Sequence, residues 1–149
     1  MRFHLIDHVD AYEPNQSVVG RKLTSYSEEF WESSDEGLVM PPPLVLEALC
    51  QAATWLIISS TDRRKRAALL SIGSVSFLAS VHPGDVLMLE GKIISIGDES
   101  AVISGRVTVD GASVLEAEDI MCALIDADDL ENAENTERMQ SLLLRAGGA

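Results

Sequence analysis

The sequence predicts an α+β fold, a long antiparallel sheet wrapped around one central apolar helix. Residues 44–58, LVLEALCQAATWLII, form a run whose only charge is Glu47. Downstream, segments 71–81, 86–96, 101–109 and 113–125 are rich in Val, Ile and Leu, and several alternate apolar with polar side chains at the period of a strand. A helix that is apolar nearly all round must be enclosed rather than laid on a surface. A curling sheet encloses it and hides its own apolar face in doing so.

The chain opens with MRFHLIDHVDAYEP, which carries acids early and has no apolar h-region, so no secretory signal is expected there. Tyr12-Glu13-Pro14-Asn15 is a turn leading into a strand over 17–24. Three prolines follow Val39-Met40. Proline suits the first helical position, where the N–H has no intrahelical partner, but it pushes the residue before it out of the α region. Pro41 and Pro42 are therefore expected to be extended, with Pro43 opening the helix and Leu44 and Val45 keeping the first usable N–H groups. Beyond the helix lie His82-Pro83-Gly84-Asp85, Gly97-Asp98-Glu99-Ser100 and Asp110-Gly111, turn chemistry that joins consecutive strands into an antiparallel meander. Sheet and helix together give the hot-dog arrangement, expected as one domain over residues 1–125. Residues 126–149 read as an acidic tail, with Asp126, Asp128, Asp129, Glu131, Glu134 and Glu137 ahead of a short amphipathic helix that stops at Gly147-Gly148.

At 149 residues the chain is long enough for one hydrophobic core. Its formal net charge of −13 argues against nucleic acid and anionic membrane surfaces as partners, because both are bound mainly through Lys and Arg. The central run is also shorter than the ~20 apolar residues of a membrane span and contains Glu47 and Gln51. Cys50 and Cys122 lie within apolar stretches, as buried reduced thiols of a cytoplasmic protein do. Neither Cys nor His clusters at a metal-ligand spacing, so no metal site and no cofactor is expected.

Glu47, Gln51 and Thr54 share one face of the helix, the only polar stripe on it. A buried carboxylate without a partner costs several kcal/mol, so Glu47 either faces a pocket as an acid or base or accepts bonds from a neighbouring chain. Trp31 and Trp55 read as packing residues, although Trp55, on the central helix, is placed to line a tunnel.

Several short pieces occur in an order and spacing that resembles the FabZ-type 3-hydroxyacyl-acyl-carrier-protein dehydratases of fatty-acid synthesis. They are Leu5-Ile6-Asp7-His8-Val9 with Tyr12-Glu13-Pro14, Ser27-Glu28-Glu29-Phe30, and Val39-Met40-Pro41 with residues 44–52. Val81-His82-Pro83-Gly84-Asp85, Val107-Thr108-Val109-Asp110-Gly111 and Glu116-Ala117-Glu118 complete the set, so the resemblance runs from about Phe3 to about Ile125. It implies a hot-dog dimer with two interface sites for acyl-carrier-protein or acyl-CoA thioesters. Each is an acyl tunnel beside a histidine from one subunit and a carboxylate from the other. Glu47 falls on the carboxylate's position and Gln51 on a polar neighbour one turn along.

Two departures from the pattern stand out. The family's histidine, the base for the proton beside the thioester carbonyl, lies in a Gly-His-Phe-Pro run, and counting back from Met40 puts Ser33 in its place. His4, His8 and His82 fall at other motif positions, none a natural substitute. The family's Gly after Met-Pro, whose N–H is expected to bond the thioester carbonyl, is Pro42 here. Losing one such donor costs ~10²–10³ in rate. The expectation is an acyl-thioester-binding relative that dehydrates poorly or not at all as a homodimer. Two alternatives remain open, a half-site completed by a histidine-bearing partner subunit and a thioesterase that uses Glu47. Arg63-Arg64-Lys65-Arg66 is the one concentrated basic patch, readable as a docking site for an acidic carrier protein or as a solvated loop at the helix C-terminus.

Overall fold

The computed structural model describes residues 4–129 and 133–145. Its strands are β1 (His8–Glu13), β2 (Ser17–Leu23), β3 (Glu32–Ser34), β4 (Gly37–Val39), β5 (Lys65–Phe77), β6 (Val86–Ile96), β7 (Ser100–Val109) and β8 (Ala112–Asp126). The helices are α1 (Pro42–Ser60) and α2 (Ala133–Arg145), and a 3₁₀ turn covers Ala127–Asp129. Six strands make one antiparallel sheet in the order β1-β2-β6-β7-β8-β5, while β3 and β4 form a separate hairpin.

The sheet holds α1 because the two apolar faces match. Leu49, Leu56 and Ile57 of the helix are fully buried together with Leu87 and Leu89 of β6, Ile103 of β7 and Leu115 of β8. Burying each such side chain contributes about 1.5–3 kcal/mol. Close approach depends on Gly105 of β7, where a Cβ would stand 2.6 Å from the Glu90 carbonyl oxygen and 2.9 Å from Leu49 Cδ1. The meander β6-β7-β8 turns at Asp110-Gly111, whose φ values of 51° and 82° are the paired left-handed conformations of a tight hairpin turn.

The structure corrects the sequence reading in four places. Helix α1 opens at Pro42, with Pro41 alone extended (φ −53°, ψ 128°), rather than at Pro43. Both residues lack an N–H that the first turn would leave unpaired, so the helix loses nothing by starting earlier. Strand β5 begins at Lys65, because Lys65 and Arg66 pair with Asp126 and Ile125 of β8. It ends at Phe77, where the backbone turns to give the Leu78 N–H to the Val114 carbonyl at 2.8 Å. The strands β1, β3 and β4 were not anticipated. The first is mostly exposed and polar along its length, and the hairpin strands of three residues are too short to show a period.

In the acidic segment, α2 packs on β1 and α1. Leu143 and Thr136 are buried, and Gln140 Nε2 donates to Ser59 Oγ at 2.8 Å. Glu131, Gly147 and Gly148 lie outside the described residues.

Candidate functional site

The N-terminus of α1 offers no free amide to a ligand. A helix leaves four N–H groups without intrahelical partners. Here the cap and the first two positions are Pro41, Pro42 and Pro43. The fourth, Leu44 N–H, donates to the Pro41 carbonyl at 2.9 Å, as Val45 N–H does at 3.3 Å. The donors left to Leu44 and Val45 are therefore spent inside the first turn. A cleft of about 320 Å³, part polar and part apolar, lies against this end of α1, lined by Glu36, Pro42, Val45, Phe77, Leu78 and Val114 among others.

One turn and a half further along, Glu47 is half-buried rather than buried and stands on the wall of a second cavity of about 210 Å³. Gln51, Thr54 and Cys50 of the helix share that wall, and Leu69 of β5, Ile103 of β7 and Cys122 of β8 close it. Gln51 is held from both ends. Its Oε1 accepts the Leu5 N–H at 2.7 Å, which orients the amide so that Nε2 donates to Glu47 Oε1 at 3.2 Å. The Thr54 hydroxyl donates to the Cys50 carbonyl at 2.9 Å and is occupied there. Burial, then the neighbouring Glu47 carboxylate, then Cys122 push the Cys50 thiol up to about 11. Burial raises Cys122 as well, so neither is a thiolate at neutral pH. Glu47 is thus the one ionisable side chain on this wall fit to act as base or charge partner.

The remaining residues singled out in the sequence are scattered. Ser33 is exposed on β3, directly across from Leu38 of β4. Trp55 is half-buried beneath α2, with Val9, Val18 and Leu143, around a void of about 10 Å³ on another side of α1 from the Glu47 cavity. Trp31 Nε1 donates to the Ser25 carbonyl at 2.8 Å and its ring packs on Phe30 at 4.9 Å, away from Glu47. The basic run does not form one patch. Arg63 sits in a left-handed turn (φ 64°), and Lys65 Nζ is 2.6 Å from Asp126 Oδ1. Arg66 is 6% exposed, with Nη1 donating to the Arg63 and Lys65 carbonyls.

Sequence position gave no reason to select His82, yet the structure sets its ring on the β3–β4 hairpin, Nδ1 3.0 Å from the Leu38 carbonyl and Nε2 4.0 Å from Glu36 Oε2. Only the fold reveals it, since 44 residues separate His82 from Leu38.

A curled antiparallel sheet around one central helix, with the helix's polar stripe facing a cavity, defines a hot-dog protein. Among solved structures, smu.793 from Streptococcus mutans UA159, bound to acetyl CoA, matches with a TM-score of 0.63 at 17% identity over 85% of this chain and 91% of that one. A hypothetical thioesterase from Streptococcus pneumoniae TIGR4, solved with coenzyme A, gives 0.59 at 20% identity over 78% and 84%. These likenesses show the fold. In sequence, the FabA-like domain model matches residues 1–118. The 3-hydroxyacyl-[acyl-carrier-protein] dehydratase FabZ of Pediococcus pentosaceus is 36% identical over 115 residues, 76% of this chain and 77% of that one. The FabZ of Chlamydia abortus is 34% identical over 134 residues, 87% and 86% of the two chains. The chain belongs to the FabZ-type 3-hydroxyacyl-acyl-carrier-protein dehydratase family.

Proposed function

We propose that this protein binds acyl thioesters, presented on acyl-carrier protein or coenzyme A, in the cavity beside Glu47. As a homodimer it dehydrates 3-hydroxyacyl thioesters far more slowly than a site with its oxyanion donor intact. The observation that carries the reading is the space itself. The wall around Glu47 encloses about 210 Å³ next to a half-buried carboxylate, and neither Pro42 nor Trp31 fills it. The slow chemistry follows from an α1 N-terminus without a free N–H, a loss worth ~10²–10³ in rate, and from Ser33, whose hydroxyl cannot take a carbon-bound proton unaided.

The edge strand β5 supports the dimer. Among the described residues it pairs only with β8 and exposes Leu69, Leu70 and Phe77 by 54%, 64% and 51% along a 13-residue edge, a template for pairing with a second copy. A two-fold axis across β5 brings the Phe77 end of one strand alongside the Ala67 and Leu69 segment of the other. The cleft at α1 of one copy then opens beside the Glu47 cavity of its partner. Titration of 3-hydroxyacyl-CoA into the wild type and Glu47→Ala tests the reading by calorimetry. Saturable binding weakened by Glu47→Ala is expected, and no saturable binding to the wild type refutes it.

A second reading is favoured by the same pair of losses: this chain supplies Glu47 to a histidine-bearing partner subunit. Co-expression with such a paralogue should then raise dehydration above either chain alone. The thioesterase reading is disfavoured by the α1 terminus, because acyl transfer also needs an oxyanion donor. Glu47-dependent release of thiol from acyl-CoA would restore it.

A further inference from the structure

We infer that Cys50 is a covalent capture site for 2-enoyl thioesters: its thiol adds across the double bond of an enoyl chain held in the Glu47 cavity, and Glu47 accepts the thiol proton. The inference rests on the acyl-thioester reading above and extends it to a reaction of this chain's own sulfur. Cys50 and Glu47 are three residues apart on α1, which makes them neighbours on the helix surface, and both line the 210 Å³ cavity. Cys50 is half-buried rather than sealed. Leu69, Ile103 and Ile120 give the same cavity the apolar wall that an acyl chain needs.

A second thiol faces this space, and the surroundings choose between the two. Cys122 lines the cavity from β8 at 6% exposure, so two thiols and a carboxylate converge on one cavity. Burial alone raises Cys122, whereas at Cys50 the Glu47 carboxylate adds to burial. Only Cys50 therefore has a proton acceptor at hand. That acceptor is held in place, since Gln51 Nε2 donates to Glu47 Oε1 at 3.2 Å while Gln51 Oε1 is fixed by the Leu5 N–H at 2.7 Å. Nucleophile, base and orienting group thus share one wall, the arrangement by which a weak nucleophile is activated. The base is needed because a thiol pushed up to about 11 keeps its proton at neutral pH. Once formed, such a thiolate is a strong nucleophile, since the nucleophilicity of sulfur rises with its basicity.

The step balances without a co-reactant. Glu47 takes the thiol proton as sulfur bonds to the β-carbon of the enoyl chain, and the π pair of the double bond shifts toward the thioester carbonyl as an enolate. The α-carbon then takes the proton back from Glu47. One C–S and one C–H bond form, and the S–H bond and the π bond are lost. Attack at the carbonyl itself would concentrate the charge on one oxygen beside a helix terminus without a donor, whereas the enolate spreads it over carbon and oxygen. Capture is slow for the same reason, and it happens once per chain because a thioether does not hydrolyse.

The test incubates the protein with saturating medium-chain trans-2-enoyl-CoA and follows intact mass, alongside calorimetric binding of the saturated acyl-CoA of equal length. The wild type should gain the mass of one whole enoyl-CoA, mapped to Cys50, and nothing from the saturated compound. Cys50→Ser should gain nothing, and Cys122→Ala should react at the wild-type rate. Glu47→Gln should slow capture at saturation by at least ~10-fold, below the ~10²–10⁴ of a positioned base because losing the carboxylate also eases ionisation of the thiol. That easing alone would speed the reaction, so a slowing identifies Glu47 as the proton acceptor, and an equal or faster rate overturns its part. Saturable acyl-CoA binding with no adduct, an adduct that persists in Cys50→Ser, or a gain of the acyl group without coenzyme A overturns the capture and leaves the binding reading intact. Absence of saturable acyl-CoA binding overturns both.

Discussion

Installing a donor at Pro42 and a base at Ser33 is the sharpest test of the proposal that this chain is slow. The perturbation is the double substitution Pro42→Gly and Ser33→His. In the structure the cap and first two residues of α1 are all proline, and the Leu44 N–H is bound to the Pro41 carbonyl, so the terminus presents no donor. Pro42→Gly restores one N–H at a position with no intrahelical partner, worth ~10²–10³ in rate if it reaches the thioester oxygen. Exchanging a proline for a glycine at this exposed position costs about 1–2 kcal/mol of stability, small enough for the fold to persist. Ser33→His adds an imidazole on β3, worth ~10²–10⁴ in rate if it reaches the substrate. Enoyl-CoA hydration should therefore rise by at least ~10⁴-fold in the double variant, with each single variant intermediate. A folded, acyl-CoA-binding double variant no faster than the wild type would refute the argument that donor and base are the missing parts.

Leu70→Asp should split the proposed dimer, since it puts a charge at the middle of the exposed β5 edge; light scattering reads the mass, and a wild-type monomer or an unchanged mass refutes the edge assignment. Gly105→Ala should destabilise by about 1–3 kcal/mol in urea melts, because its Cβ would meet the Glu90 carbonyl oxygen at 2.6 Å, backbone that cannot swing aside. Charge reversal at Arg63 and Arg64 should leave binding of an acidic carrier protein unchanged, because Lys65 is paired with Asp126 and Arg66 is buried; a salt-dependent loss of binding would restore the docking role. Cys50 is held at about 11 against 9.0 for a free thiol, so the folded state keeps a proton that the unfolded chain gives up. The stability this confers is full below about pH 9 and lost as pH rises toward 11, up to roughly 2 kcal/mol, and Cys50→Ala should flatten that stretch of the pH–stability curve.

Much of the fold was legible in the linear pattern. The unbroken apolar character of residues 44–58 demands enclosure, and the strand periods between Val86 and Ile125 with Gly-containing turns leave few arrangements other than a meander around a helix. Local chemistry also reached the helix terminus, since proline lacks an N–H in any fold. What local pattern could not resolve are elements fixed by pairing. Lys65 and Arg66 look like a basic loop until β8 lies beside them, and Glu32–Ser34 is a strand only because Gly37–Val39 turns back on it.

For the site, the sequence by itself determined which chemical groups the helix carries: Glu47 and Gln51 one turn apart, and three consecutive residues without a donor. Those are properties of side chains and of helical period, and they survive any packing. Tertiary structure alone decided what surrounds them. It left a cavity rather than a filled space beside Glu47, tied Gln51 to Leu5 across 46 residues, and moved Trp55 beneath α2. It also brought His82 to the hairpin of Ser33, because hydrogen bonds from Met40 to Val81 and between His82 and Leu38 join segments that no local period connects.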